Sequence, residues 1–193
     1  MPILPAEPAV FPDDLFEATS SADGADRRWW VLHTKPRQEK ALSRRLFEQQ
    51  LPYFLPLQRR RTLMRGRAMT SYAPLFPSYV FQFSNEQERG SALATGRVVQ
   101  TLPVTDQQRL WTELNQIHRL LDSGRAVAAE QGLTPGALVE ICSGPLTGLR
   151  GKILTTASGR RFVVQVDFIQ RGASVLLEGC DLVELASEIS VRA

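Results

Sequence analysis

Residues 143–154, SGPLTGLRGKIL, put three glycines and a proline into twelve positions between the apolar runs ALVEI and RFVVQVDF. Glycine at this density suits a phosphate-cradling loop, whose backbone N–H groups close on the anion. That chemistry also needs Lys followed by Ser or Thr directly after the last glycine, and a helix opening there. Here Gly151 is followed by Lys152 and Ile153, and the chain continues as a β-type run. Gly144, Pro145, Gly148 and Gly151 therefore predict a tight connection between two strands. Pro145 fixes φ, and the glycines permit positive φ or close backbone approach.

A second grouping is basic. Arg59, Arg60, Arg61, Arg65 and Arg67 fall within nine positions, and Lys35, Arg37, Lys40, Arg44 and Arg97 lie on either side of them. Such side chains neutralise nucleic-acid phosphates, which gives affinity without sequence information. For each one a solvated surface residue is the alternative. The charge is unevenly spread. Residues 1–26 hold six acids and no base, residues 27–125 hold seventeen Lys/Arg against seven Asp/Glu, and residues 134–186 hold five of each. A basic domain beside a neutral one predicts that the first meets a polyanion.

Covalent chemistry finds little to work with. There are no carboxylates paired at helical spacing in an apolar setting and no nucleophile motif. Cys142, Cys180, His33 and His118 are too scattered for a zinc site. The reading is of a non-enzyme with no metal and no cofactor, its two cysteines free thiols that act as small buried apolar residues. No apolar run reaches the roughly 18 residues that span a membrane, and the N-terminus lacks the pattern of an export signal. A cytoplasmic, membrane-free protein is expected.

These groups need elements to position them. RWWVLHT (28–34) is short, aromatic and β-branched and reads as a strand. RQEKALSRRLFEQQL (37–51) reads as a helix, with Leu42, Leu46 and Phe47 as its apolar stripe and Arg37, Lys40 and Arg44 on one face. Residues 53–83 read as strands about an irregular centre, with Arg65-Gly66 a hairpin tip. NEQERGSALAT (85–95) predicts a short helix, RVVQTL (97–102) a strand, and TDQQRLWTELNQIHRLLDSG a helix opened by a Thr105/Gln108 capping box. His118 lies off its stripe, at an exposed or rim position. After Pro135 the pattern is all-β: ALVEIC, GKILTTA, RFVVQVDF, ASVLLEG and DLVEL, separated by glycine turns. The fold class is α+β: an N-terminal α/β sandwich on a mostly antiparallel sheet, then a small all-β SH3-like barrel. The expected divisions are a disordered arm (1–26, whose Phe11, Leu15 and Phe16 have docking potential), a first domain (27–122), a linker (123–133), a second domain (134–186) and a tail (187–193).

Two motifs in this order carry a resemblance. PGALVEICSGPLTGLRGKILTT resembles a KOW motif, and WWVLHTKPRQEKAL with APLFPSYVFQF resembles the NusG N-terminal domain. The pair is similar to NusG-family transcription elongation factors over residues 27–186. RGRAMTSYAPLFPSYVF is similar in form to the specialised RfaH-type paralogues. The stretch DFIQRGASVLLE departs from the housekeeping pattern, and ERGS (88–91) stands where RfaH has His-Thr-Thr. The resemblance implies an antitermination or elongation factor whose first domain binds the clamp helices of RNA polymerase through His33, Phe76, Tyr79 and Phe81 and raises processivity. It also implies that Lys35 and Arg97 touch the displaced non-template DNA strand. The KOW domain would recruit the ribosome or a termination or antitermination factor, and the protein is expected to be a monomer. Alternation leaves one question open: Tyr79 and Phe81 share a face, and that face belongs either to an interface or to the sheet core. The competing class is a KOW-containing RNA-binding or ribosome-associated structural protein.

Overall fold

Aromatic and β-branched runs build the first sheet of the computed structural model, which describes residues 8–19, 26–64, 67–131, 136, 138–156, 159–177 and 182–185, without the side chains of Met64, Arg67, Gln131 and Glu184. The chain divides into two units, Met1–Trp111 and Thr112–Ala193. The first contains β1 (Val10–Phe11), α1 (Leu15–Thr19), β2 (Arg28–Thr34), α2 (Glu39–Glu48), β3 (Tyr53–Phe54), β4 (Leu57–Met64), β5 (Arg67–Pro74), β6 (Tyr79–Ser84), α3 (Glu86–Ala94), β7 (Val98–Pro103) and the start of α4 (Gln107–Asp122). Five strands form a sheet in the order β1-β3-β6-β2-β7, every neighbouring pair antiparallel, and β4 and β5 form a separate two-stranded ribbon.

The inner strands of the sheet, β2, β3 and β6, are buried on both faces. Trp30, Leu32, Tyr53 and Val80 cluster with Leu42 and Leu46 of α2 and Ala92 of α3. Trp29, Val31, Phe54, Phe81 and Phe83 alternate with them and are equally buried. On that second face Phe16 of α1 stacks on Trp29 with ring centroids 5.8 Å apart and meets Phe54 edge-on at 5.2 Å. At the end of β7, where Pro103 has no N–H to give, the Gln107 side chain continues the ladder. It accepts from Trp29 N at 2.7 Å and donates to Trp29 O at 3.1 Å.

The expected disordered arm is corrected at residues 8–19. Val10 and Phe11 pair with Phe54 and Tyr53 as an edge strand, and Leu15 and Phe16 are core residues. Burying a side chain of this size contributes about 1.5–3 kcal/mol, enough to hold a short segment that composition alone makes look loose. Residues 1–7 and 20–25 of the arm lie outside the described ones, as does the Arg65-Gly66 tip. Helix α2 begins at Glu39, not at residue 37: Arg37 has φ +62°, incompatible with a helix turn. In α4 the cap is Asp106, not Thr105, since Asp106 Oδ1 accepts from Arg109 N at 2.9 Å.

The second unit holds β8 (Ala128–Gln131), β9 (Leu138–Ile141), β10 (Arg150–Thr156), β11 (Gly159–Val166), a 3-10 turn (Asp167–Ile169), β12 (Arg171–Leu176) and β13 (Leu182–Glu184). Its six strands run β13-β9-β10-β11-β12-β8, again antiparallel throughout. Residues 128–131, expected as linker, are a strand paired with β12. Phe162, Val164, Val166, Ile141 and Val175 are buried in this unit. The part of α4 that belongs to it, from Thr112 onward, sets polar side chains against backbone. Glu113 Oε2 accepts from Asp167 N (3.1 Å), Gln116 Oε1 accepts from Arg150 N (2.6 Å), and Arg119 Nη2 donates to Thr147 O (2.7 Å). His118 is half-buried and lies 3.4 Å from Asp122.

The glycine loop closes as a turn between β9 and β10. Gly148 N donates to Ile141 O at 2.8 Å, Thr147 Oγ1 donates to Gly144 O at 2.6 Å, and Leu146 and Leu149 tuck inward beside the exposed Pro145. Gly148 has φ +82°, and Gly144 is likewise left-handed. Gly151 serves a different need. A Cβ there would overlap the Val163 carbonyl oxygen and come within 2.8 Å of the Phe162 ring. Cys142, expected to be buried, is exposed beside this loop. Cys180 lies outside the described residues.

Candidate nucleic-acid interface

Three elements of the first unit bring bases together at one end of the sheet. Lys35 follows β2, Arg37 precedes α2, and Arg97 precedes β7. The backbone joins them directly, because Lys35 N donates to Arg97 O at 2.9 Å. Arg97 Nη1 donates to Gln38 Oε1 at 2.5 Å, which holds the guanidinium over the start of α2. Lys35 and Arg37 are exposed. The backbone here is held in uncommon conformations: Arg37 and Ser78 (φ +70°) are both left-handed, and β2 shifts register between His33 and Thr34. Buried Glu39 secures this corner by accepting from Ser78 N at 2.7 Å. Beside it, His33 Nδ1, Thr34 Oγ1 and Arg97 Nε are buried atoms without a hydrogen-bond partner among the described residues.

The aromatic patch expected for polymerase splits in two. His33 and Tyr79 face each other across β2 and β6, half-buried, with ring centroids 5.4 Å apart. Phe76 and Phe81 do not form an exposed surface with them. They are 1% and 0% exposed, meet edge-on at 6.4 Å, and Phe81 also lies beside Phe54. Gln82, a poor core residue by type, is buried as well, with only a 3.5 Å contact from its Nε2 to Glu88 O. Both faces of β6 are covered, so alternation along it does not distinguish interface from core.

The other bases lie along α2 and the ribbon. Lys40 is exposed, and its Nζ donates to Tyr72 O at 2.5 Å, tying α2 to β5. Arg44 is half-buried on the same helix. Arg59, Arg60 and Arg61 are exposed on β4, opposite Tyr72, Ser71 and Thr70. Arg65 and the side chain of Arg67 lie outside the described residues. Arg28 and Arg89, not anticipated as a unit, both set their guanidinium carbons against the Trp30 ring, 4.2 and 4.7 Å from its centroid, and both bond Glu86. Their separation by 61 positions hides this grouping from any local sequence pattern. Among the described residues no three His, Cys, Asp or Glu side chains group to hold a metal ion, and no helix is long and apolar enough to cross a membrane.

The family model for NusG, described as transcription termination factor nusG, matches residues 27–124. The chain belongs to the NusG family. The matched stretch spans four of the sheet's five strands, the ribbon and the basic corner of this NusG-family transcription factor. Among solved structures it is similar to the Thermotoga maritima NusG described for its domain interaction, at 19% identity and TM-score 0.46, over 80% of this chain and 96% of that one. A chain of the MjSpt4:Spt5 complex in conformation B is 17% identical, with TM-score 0.26, over 81% of this chain and 97% of that one. No curated protein matches the chain.

Proposed function

We propose that this protein is an elongation and antitermination factor of the RfaH-like kind that binds RNA polymerase through its first unit and raises processivity. The observation that carries the reading is the family match over residues 27–124, the stretch that also contains the basic corner. Lys35, Arg37 and Arg97 meet there on a backbone held by two left-handed residues, and strain of this kind collects where a surface is shaped for a ligand. Exposed cations beside buried, unpartnered polar atoms suit a polyanion, and the non-template DNA strand of a transcribing complex is the polyanion assigned to them. His33 and Tyr79, the accessible half of the aromatic patch, are the clamp-helix contact that remains in this reading. Its second unit, read as a KOW domain, recruits the ribosome or another factor, and the monomer acts by binding without a covalent step or cofactor.

In vitro transcription on a template carrying a terminator, with and without the full-length protein, tests this. The expected result is greater read-through, polymerase subunits co-purifying with the protein, and loss of the effect in Lys35→Gln/Arg97→Gln. Unchanged elongation together with no polymerase retained would overturn it. Capture of ribosomal RNA alone would favour the ribosome-associated class.

A further inference from the structure

The ribbon β4–β5 departs from the rest of the first unit in being a two-stranded sheet exposed on both faces. Residues 59–63 and 68–72 are exposed along its length. Its base is fixed: Gln58 is buried, Leu57 packs on the sheet–α2 core, Leu75 N donates to Pro56 O at 2.8 Å, and Lys40 holds the Tyr72 carbonyl. The sequence of residues 57–74 contains five arginines and no acid to neutralise them. Three large apolar groups are exposed with them: Leu63 at 76%, Met69 at 52% and Tyr72 at 47%. A ribbon anchored at one end, charged and apolar along both faces, is built to be covered.

Register sorts these side chains. Paired residues share a face. One face carries Arg59 opposite Tyr72, Arg61 opposite Thr70, and Leu63 opposite Ala68; the other carries Arg60 opposite Ser71 and Thr62 opposite Met69. Resting on the reading that the first unit works on transcribed DNA, we propose that this ribbon docks in the major groove of B-form duplex DNA, with the Arg59/Arg61/Tyr72 face on the base edges. The dimensions agree. Two strands about 4.8 Å apart, each about 27 Å long at eight residues, fit a groove about 12 Å wide that admits a two-stranded ribbon, whereas the minor groove is about 6 Å wide. The deep, narrow major groove of A-form RNA excludes it. Single strands are held on stacked aromatic platforms, and the ribbon offers Tyr72 alone. The chemistry also fits: arginine pairs with guanine O6 and N7, the Thr70 hydroxyl takes either partner, and Leu63 meets a thymine methyl. Arg60, on the outer face, is placed to reach a phosphate.

Fluorescence anisotropy of the full-length protein, without polymerase, tests the assignment. The probes are a short B-form duplex, its single strand, an RNA duplex of the same sequence, and the DNA duplex with 7-deazaguanine in place of guanine. The intact duplex should bind tightest, and the 7-deaza substitution should weaken it about tenfold. Arg59→Gln/Arg61→Gln should lose that sensitivity while keeping its melting temperature. Arg60→Gln should keep the sensitivity and lower the log–log salt slope by about 0.9. Indifference to 7-deazaguanine, preference for the single strand or RNA, or unchanged binding by the double variant would each overturn the proposal. A double variant that loses polymerase and keeps DNA would make the ribbon a protein contact instead, which also overturns it. Groove-sensitive binding by a protein with no effect on transcription would sink the proposed function and leave the ribbon's assignment standing.

Discussion

The five-stranded sheet and the β4–β5 ribbon are both antiparallel, lie in the same unit and are rich in aromatic or β-type residues, yet the inner strands of one are buried on both faces and the other on neither. The difference comes from what flanks them. Strands β2, β3 and β6 are followed or preceded by α1, α2 and α3, which fold back over them and bury Leu15 and Phe16, Leu42 and Leu46, and Ala92 respectively. The ribbon carries arginines on both faces, Arg59 and Arg61 on one and Arg60 on the other, so no neighbour can cover it without desolvating charge, which is costly unless each charge is paired. Burial of the sheet makes the fold, and exposure of the ribbon leaves a surface for another molecule.

The sharpest way to break this comparison is an aromatic truncation on each side. Phe81→Ala removes a ring that is fully buried against Phe54 and Phe76 and should destabilise the protein by about 3–5 kcal/mol in chemical denaturation. Tyr72→Ala on the ribbon should stay within about 0.5 kcal/mol of wild type. If Phe81→Ala melts like Tyr72→Ala, the second face of the sheet is not core and Phe81 returns to the interface side.

That pair also marks where the sequence stops being legible. Element types and order were readable because period-two runs such as SYVFQF and helical stripes such as Leu110, Leu114 and Ile117 are local signals. The turn reading of the glycine loop followed from a local rule as well, since Ile153 stands where a phosphate loop needs a hydroxyl. The face of Phe81 was not readable. Its burial depends on which segments cover the sheet's second face, and α1, more than sixty positions from Phe81 and hidden in an acidic arm, gave no periodic signal over its five residues. The bases were found by type, but the meeting of Lys35 with Arg97 depends on a long-range β2–β7 pairing. Arg37 was misassigned to a helix because a single left-handed residue leaves no compositional trace when it is not glycine.

Glycines sharpen the contrast between crowded and open backbone. At Gly151 a side chain has no room beside the Val163 carbonyl and the Phe162 ring. Gly151→Val should therefore cost about 1–3 kcal/mol, seen as a lower midpoint in thermal unfolding of the full chain. Gly90, within α3, has nothing within 4 Å of a built Cβ. Gly90→Ala should raise stability by about 0.5–1 kcal/mol, by restricting the unfolded chain and improving helix propensity. Loss of stability at Gly90 and none at Gly151 would invert the packing described for the two units.

At the start of α3, Asn85 forms a reciprocal capping box: its side chain accepts from Glu88 N at 2.9 Å, and Glu88 Oε2 accepts from Asn85 N at 3.1 Å. Asn85→Ala should cost about 1 kcal/mol. Asn85→Ser, which keeps an acceptor, should recover most of it, and equal losses from the two substitutions would show that the cap is not what anchors α3.

The smallest effect concerns charge at the sheet's edge. Hydrogen bonding from Arg89, reinforced by its charge and by Arg28, holds the Glu86 carboxyl below its ordinary range. A group whose folded pKa is depressed contributes stability that is present above the ordinary carboxylate range and is lost as pH falls through the folded value. The Glu86 side chain is largely exposed, so salt screens the interaction and the effect is slight. What Glu86 adds is orientation: it bonds both guanidinium groups that lie against Trp30, the ring that caps the buried face of β2 at this end. Glu86→Gln should therefore lower stability slightly at neutral pH and low salt, flatten the acid limb of the stability–pH curve by the same amount, and converge with wild type at low pH. At high salt the two proteins should follow the same curve. A steeper acid limb in the variant would mean that the two arginines repel each other more than Glu86 steadies them, and that Trp30 is held by its packing against α3 and its indole hydrogen bond to Ser84 O alone.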